Sequence, residues 1–145
     1  MQKITPFLWF DGQAEEAMNF YTSIFKNFKV GAVSPFSASF ELEGLQFTAL
    51  NGGPQYKFSE AMSLYVNCES QEEVDHYWGK LSAGGHVQQC GWLKDKFGVS
   101  WQIIPSELPK LLTDPDPEKA NRVMQAMLAM KKIEIVELQR AYDKH

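Results

Sequence analysis

Two heptapeptides decide the fold: Glu15-Glu16-Ala17-Met18-Asn19-Phe20-Tyr21 and Glu72-Glu73-Val74-Asp75-His76-Tyr77-Trp78, 57 positions apart. Each opens on two acids and continues with apolar residues at helical spacing. A strand-like run precedes each, FLWF from Phe7 and SLYV from Ser63, at an offset of 56. Downstream, Gly44-Leu45-Gln46-Phe47-Thr48-Ala49-Leu50 matches Gly98-Val99-Ser100-Trp101-Gln102-Ile103-Ile104 at an offset of 54. Three matches in the same order predict a duplicated βαβββ unit: strand, helix, then further strands.

The rest of the chain fits around that repeat. Ala17, Met18, Tyr21, Ile24 and Phe25 make one face of a helix starting near Gln13, and Val74, Tyr77, Trp78 and Leu81 another after Ser70. Strands are expected at Ile4–Phe10, Ser37–Leu42, Gln46–Leu50, Met62–Val66 and Val99–Ile104, with weaker signals at Lys29–Val33 and Val87–Leu93. Asp116-Pro117-Glu118 reads as an N-cap with Pro at the first helical position, and a shorter helix is expected from Glu134 to Tyr142. Gly52-Gly53-Pro54 and Gly84-Gly85 are turns; no GK[ST] or GxGxxG follows a strand to cradle a phosphate.

Composition narrows the function classes. The 145 residues hold 14 Lys+Arg against 18 Asp+Glu, a net charge of −4 without basic runs, which argues against nucleic acid and anionic membranes as partners. Three His and two Cys exclude a disulfide scaffold and the usual zinc site. Met1 to Phe10 lacks the pattern of a leader, and no stretch approaches the ~18 apolar residues of a membrane span. A cytoplasmic protein with reduced thiols is expected.

ALNGGP from Ala49, CGWLKDKFGVSWQIIP from Cys90 and DPDPEKANRVMQAMLAMKKIEI from Asp114, set on this repeat, resemble the PhnB-like family. That family often carries a 3-demethylubiquinone 3-methyltransferase domain name and belongs to the vicinal oxygen chelate superfamily of glyoxalase I, extradiol dioxygenases and bleomycin-binding proteins. The resemblance runs from Ile4 to Tyr142. It implies an α+β fold of two glyoxalase-like βαβββ modules with curved mixed sheets and C-terminal helices. The whole chain, 1–145, would form a single domain, with modules at about 3–53 and 60–105 and a helical extension at about 106–145. The segment from Gly31 to Ser39 is shorter than the Gly-rich connection usual in such proteins.

Strand alternation supplies a separate argument. Leu8, Phe10, Phe47, Ala49, Met62, Leu64, Val66, Val99, Trp101 and Ile103 form an apolar set suited to packing under helices. Thr5, Phe7, Trp9, Gln46, Thr48, Leu50, Ala61, Ser63, Tyr65, Ser100, Gln102 and Ile104 form a mixed set on the other face. Alone, such a face is a half-solvated sheet or a dimer contact; the resemblance makes it the lining of a pocket. Metal-dependent superfamily members hold His or Glu at four equivalent positions, which here hold Thr5, Thr48, Ala61 and Gln102, or Phe7 and Ser63 if the first strands shift by a pair. Neither set suits a divalent cation. No metal and no cofactor are therefore expected.

Other candidates have plainer readings. Cys90 reads as a structural thiol, Asp95 as part of a solvated KDKFG hairpin turn, and His76 and the terminal His145 as surface groups. His86 would point with Cys90 only in a regular strand. Met124, Met127 and Met130 suggest core or interface packing. The expected function is metal-independent binding of a small organic molecule, with Phe7, Trp9, Thr48, Tyr65, Trp92 and Gln102 as lining; Trp92 enters through the family motif. Two alternatives stay open: an enzyme of unknown reaction (isomerase, lyase or methyltransferase-like) using Gln102, Asp95 or Cys90, and a dimeric scaffold without ligand. A homodimer is expected from the methionine-rich helix face.

Overall fold

In the computed structural model, which describes residues 2–144, eight strands and five helices fall into two units, one ending at Phe58 and the other starting at Ser59. The first comprises β1 (Phe7–Phe10), α1 (Ala14–Ile24), β2 (Phe28–Val33), β3 (Ser37–Leu42) and β4 (Leu45–Asn51). Its strands lie in the order β1-β4-β3-β2, with β1 parallel to β4 and the other pairs antiparallel. Period-2 alternation buries Ala38, Phe40 and Leu42 of β3 and Phe47 and Ala49 of β4, on the side where α1 buries Ala17, Met18 and Tyr21. The Phe40 and Phe47 rings stack 5.4 Å apart. Gln13 gives α1 no side-chain cap. Asn51 does so from the end of β4, its Oδ1 accepting from Ala14 N at 2.8 Å. The short connection before β3 is a tight turn in which Ser34 Oγ accepts from the amides of Phe36 and Ser37.

The second unit repeats the plan with β5 (Ser63–Cys68), α2 (Gln71–Ser82), β6 (His86–Val87), β7 (Trp92–Lys94) and β8 (Ser100–Pro105). Its order is β5-β8-β7-β6, again with only the first pair parallel. Ser70 caps α2 through Glu73 N, and Glu73 reaches back to Glu69 N. Val74, Tyr77 and Leu81 of α2 are buried, as are Leu93, Trp101 and Ile103 of the sheet.

Three helices follow: α3 (Glu107–Leu112), α4 (Pro117–Leu128) and α5 (Ile135–Asp143). They bury a cluster of Ile104, Leu108, Val123, Ile133 and Leu138, with Met127 and Met130 packed against it. The segment joining α4 to α5 is fastened to the sheet. Cys90 N and Gly91 N donate to the carbonyls of Met130 and Lys131, both at 2.8 Å. The Gln71 amide donates to Ile133 O and accepts from Ile135 N, as a neighbouring strand would. Lys132 pairs with Asp75 at 2.9 Å.

Several expectations change. The strand expected at Ile4–Phe10 begins only at Phe7. The run Val87–Leu93 is not one strand: Cys90 (φ 60) and Gly91 (φ 82) turn left-handed and separate β6 from β7. Helix α3 is not among the expected elements; its Pro109 stands in the first turn, where the missing N–H costs nothing. Of the apolar set, Met62 is 66% exposed; of the mixed set, Ser100 and Ile104 are buried. Among the described residues, no helix is long and apolar enough to cross a membrane.

Candidate functional site

Register, not offset, shows which residues of the two units correspond. Phe7 lies opposite Thr48, and Thr48 opposite Ser39; Tyr65 lies opposite Gln102, and Gln102 opposite Trp92. Cross-strand partners share a face. Phe7-Thr48-Ser39 and Tyr65-Gln102-Trp92 are therefore equivalent rows, and Phe7 matches Tyr65 at 58 positions rather than Ser63 at 56.

In the second unit, Tyr65 is 53% exposed while Gln102 and Trp92 are half-buried. Gln102 Nε2 donates to Ser63 Oγ at 2.9 Å. Burial pushes the Tyr65 phenol above its ordinary range, with the neighbouring Cys68 adding to the effect. The adjoining row on the same face is Ser63-Ser100-Lys94. Lys94 Nζ pairs with Glu60 at 3.0 Å, and that ammonium, ahead of a backbone hydrogen bond, holds the Glu60 carboxyl below the usual carboxylate range. Ile104, expected on the open mixed face, is instead covered by the C-terminal cluster.

The first unit carries the counterpart face. Phe7 is 62% exposed; Thr48 and Ser39 in its row, and Leu50 and Ser37 in the row of Trp9, are half-buried. Trp9 is held in place: its indole donates to Gly53 O at 2.9 Å, and Tyr56 meets it edge-on at 4.9 Å. Gly52 makes room for it, since a Cβ there would lie 2.3 Å from the ring. The Gly52-Gly53 turn is thus the seat of a tryptophan. The structure therefore groups Phe7, Trp9 and Thr48 on one sheet and Tyr65, Trp92 and Gln102 on the other.

The positions that the family resemblance matches to metal ligands offer poor donors. Register makes Ser63, not Ala61, the counterpart of Thr5, so the first unit offers Thr5 and Thr48 and the second Ser63 and Gln102, or Phe7 and Tyr65 after a shift. Neutral hydroxyls and one amide are poor ligands for a divalent ion. Among the described residues, no three His, Cys, Asp or Glu side chains gather as a metal site.

Asp95 corrects the expectation of a solvated turn: it is 2% exposed. Its Oδ1 accepts from Phe97 N and Val99 N, and its Oδ2 from Trp101 Nε1 at 2.9 Å. That places it as the lock of the β7–β8 hairpin. Cys90 is half-buried, and its backbone serves the C-terminal segment. Cys68 is the buried thiol, pushed up to about 12 by burial and then by the charges of Glu73 and Glu69. His76 and His86 are exposed, and the broken strand separates His86 from Cys90; His145 lies outside the described residues. A groove of about 740 Å³ between α4 and α5, lined by residues such as Ala126, Met130 and Ala141, includes no residue of either row, and its Arg140 pairs with Glu137. The sequence reading missed Lys94, Glu60 and the pairing of Ser63 with Ser100, since only the order β5-β8-β7 brings them together.

Comparison with known proteins adds the following. The family model for 3-demethylubiquinone-9 3-methyltransferase matches residues 2–104. A Bacillus cereus structure whose name couples that activity with PhnB protein is 40% identical, with a TM-score of 0.68 over 72% of this chain and 100% of that one. The fosfomycin resistance protein FosX from Listeria monocytogenes, solved with Mn(II) and sulfate, is 18% identical, with a TM-score of 0.53 over 70% of this chain and 88% of its own. A glyoxylase/bleomycin resistance protein/dioxygenase domain from Frankia sp. EAN1pec is 17% identical, with a TM-score of 0.52 over 72% and 92%. The last two show the fold alone. No curated protein matches the chain by sequence. The family match stops before α3, so the C-terminal helices lie outside it.

Proposed function

The chain belongs to the 3-demethylubiquinone-9 3-methyltransferase, or PhnB-like, family of the glyoxalase-fold vicinal oxygen chelate superfamily, and from that premise we propose that it binds a small, partly aromatic organic molecule on its mixed sheet faces without a metal ion. The observation that carries this reading is the row Tyr65-Gln102-Trp92, two aromatic side chains flanking an amide on the face turned away from α2. Aromatic faces pack the body of a ligand, and the amide and hydroxyls orient it. Phe7, Trp9 and Thr48 give the first unit a second, more apolar surface of the same kind. Metal independence rests on the hydroxyl and amide donor set. The family name is taken as a description of the family rather than of this chain's reaction: Asn51 caps α1 and Gly52 lies close against the Trp9 ring, which supports a structural reading of that turn.

A thermal-shift screen of metabolites and divalent metals tests the reading. Stabilisation by organic molecules, lost in a Tyr65→Ala, Trp92→Ala double variant, is the expected result. Stoichiometric retention of Zn²⁺, Ni²⁺ or Fe²⁺ with chelator-reversible stabilisation would overturn it. We further propose a cytoplasmic homodimer formed through α4, supported by the exposed Met124 and Leu128; a monomer by light scattering at micromolar concentration would refute the dimer.

A further inference from the structure

We propose that Lys94, Ser63 and Ser100 form a carboxylate subsite beside the aromatic row, and that Glu60 occupies its lysine when no ligand is bound. This rests on the ligand reading above and names the chemical class: an aromatic or apolar body bearing a carboxylate.

The first observation is Ser100. It is 1% exposed, and its Oγ is the buried side-chain polar atom that lacks a hydrogen-bond partner among the described residues. Burying an unbonded hydroxyl is unfavourable, and alanine would fill nearly the same space without that cost. Register puts Ser100 between Ser63 on β5 and Lys94 on β7, on the face that carries Gln102. Two hydroxyls and an ammonium on one row are donors suited to a carboxylate.

The second observation is that a carboxylate of the chain already engages that row. Glu60 lies three residues before Ser63 of β5, and it pairs at 3.0 Å with Lys94 of β7, the strand that flanks β8 on the side away from β5. The Lys94 side chain is 27% exposed and that of Glu60 53%. The cation is therefore the more fixed partner and the carboxylate the displaceable one. Glu60 sits in a turn outside any strand, so moving it breaks no ladder.

The third observation is that the first unit lacks this arrangement. The corresponding pair there is Gln46-Glu41, with a carboxylate where the second unit has its lysine. The subsite thus distinguishes two faces that are otherwise built alike. Successive rows on one face stand about 7 Å apart, two residues along a strand. A ring on Tyr65 and Trp92 and a carboxylate on Lys94 are then joined by a short aliphatic spacer, as in 3-phenylpropanoate.

The test uses the isotope-labelled full-length protein, titrated with 3-phenylpropanoate and with the neutral 3-phenylpropanamide while NMR follows backbone amides and the Trp92 indole. The acid is expected to bind about tenfold more tightly than the amide and to shift Ser100 as well as Trp92. Lys94→Met should abolish that preference, weakening the acid about tenfold and the amide far less, with the circular dichroism unchanged. Glu60→Gln should tighten the acid several-fold and leave the amide unaffected, because a competitor has been removed; a merely structural ion pair would give no gain. Equal affinity for acid and amide, with Trp92 shifting in both, overturns the subsite and leaves the cleft standing. No shift at Tyr65, Gln102 or Trp92 with either probe at millimolar concentration overturns both.

Discussion

The two units run their strands in the same order, yet each closes its corresponding turn and caps its helix by different means. Between β3 and β4 the first unit uses a two-residue turn, Glu43-Gly44, with φ of 48° and 86°. Between β7 and β8 the second uses a longer turn folded over buried Asp95. Helix α1 borrows its cap from Asn51 across the sheet, whereas α2 is capped locally by Ser70. Duplication has kept the register and the helix positions, which decide what is buried. The turns and caps, which only need to be satisfied somehow, have diverged.

The contrast makes the second hairpin the more breakable. Asp95→Ala leaves the Trp101 indole and two amides without their acceptor, and is expected to cost about 3–5 kcal/mol in denaturant titrations. Glu43→Ala, which removes exposed bonds to Asn27, should cost less than about 1 kcal/mol. Equal losses would refute the assignment of Asp95 as a lock. Gly52→Ala comes next: its Cβ would collide with the Trp9 ring, and displacing that ring is expected to cost about 1–3 kcal/mol and shift the indole emission. The caps should differ less. Asn51→Ala loses bonds to Ala14 N and Pro35 O, about 1–2 kcal/mol, and Ser70→Ala about 1 kcal/mol.

The smallest effect concerns pH. The Gln71 amide, ahead of Lys132, holds the Asp75 carboxyl below its ordinary range. Stability from that group is present above the usual carboxylate pKa and is lost as pH falls through the lower folded value. In the first unit the position 57 residues earlier is the buried Met18, which has no such charge. Asp75→Asn should flatten the acid limb of the stability curve below about pH 4. An unchanged limb would show that Asp75 is idle.

The repeat was legible because its signals are local: paired acids opening a helix, alternating strands and glycine turns. The fold and the family resemblance followed from them. Alternation also assigned most strand residues to the correct side. It failed at Ile104, which faces the mixed side but is covered by helices more distant in sequence, and at Met62, which precedes the strand. Asp95 looked solvated because its neighbours are lysines; its burial depends on Trp101, six positions on, turning back toward it. The offset of 56 aligned letters, whereas hydrogen bonding aligned Phe7 with Tyr65. Lys94 and Ser100 could be joined only by knowing which strand lies between which.

The fastening of the segment between α4 and α5 has a consequence for synthesis. The amides of Cys90 and Gly91 find their acceptors on Met130 and Lys131, and the Gln71 amide pairs with Ile133 and Ile135, more than sixty residues away. The first sheet closes with contacts inside its own 58 residues. On a ribosome, that sheet is therefore free to form early, while the second waits for the tail with donors uncovered. A chain arrested near residue 110 would carry one finished module and one half-finished module, the latter a natural target for a chaperone.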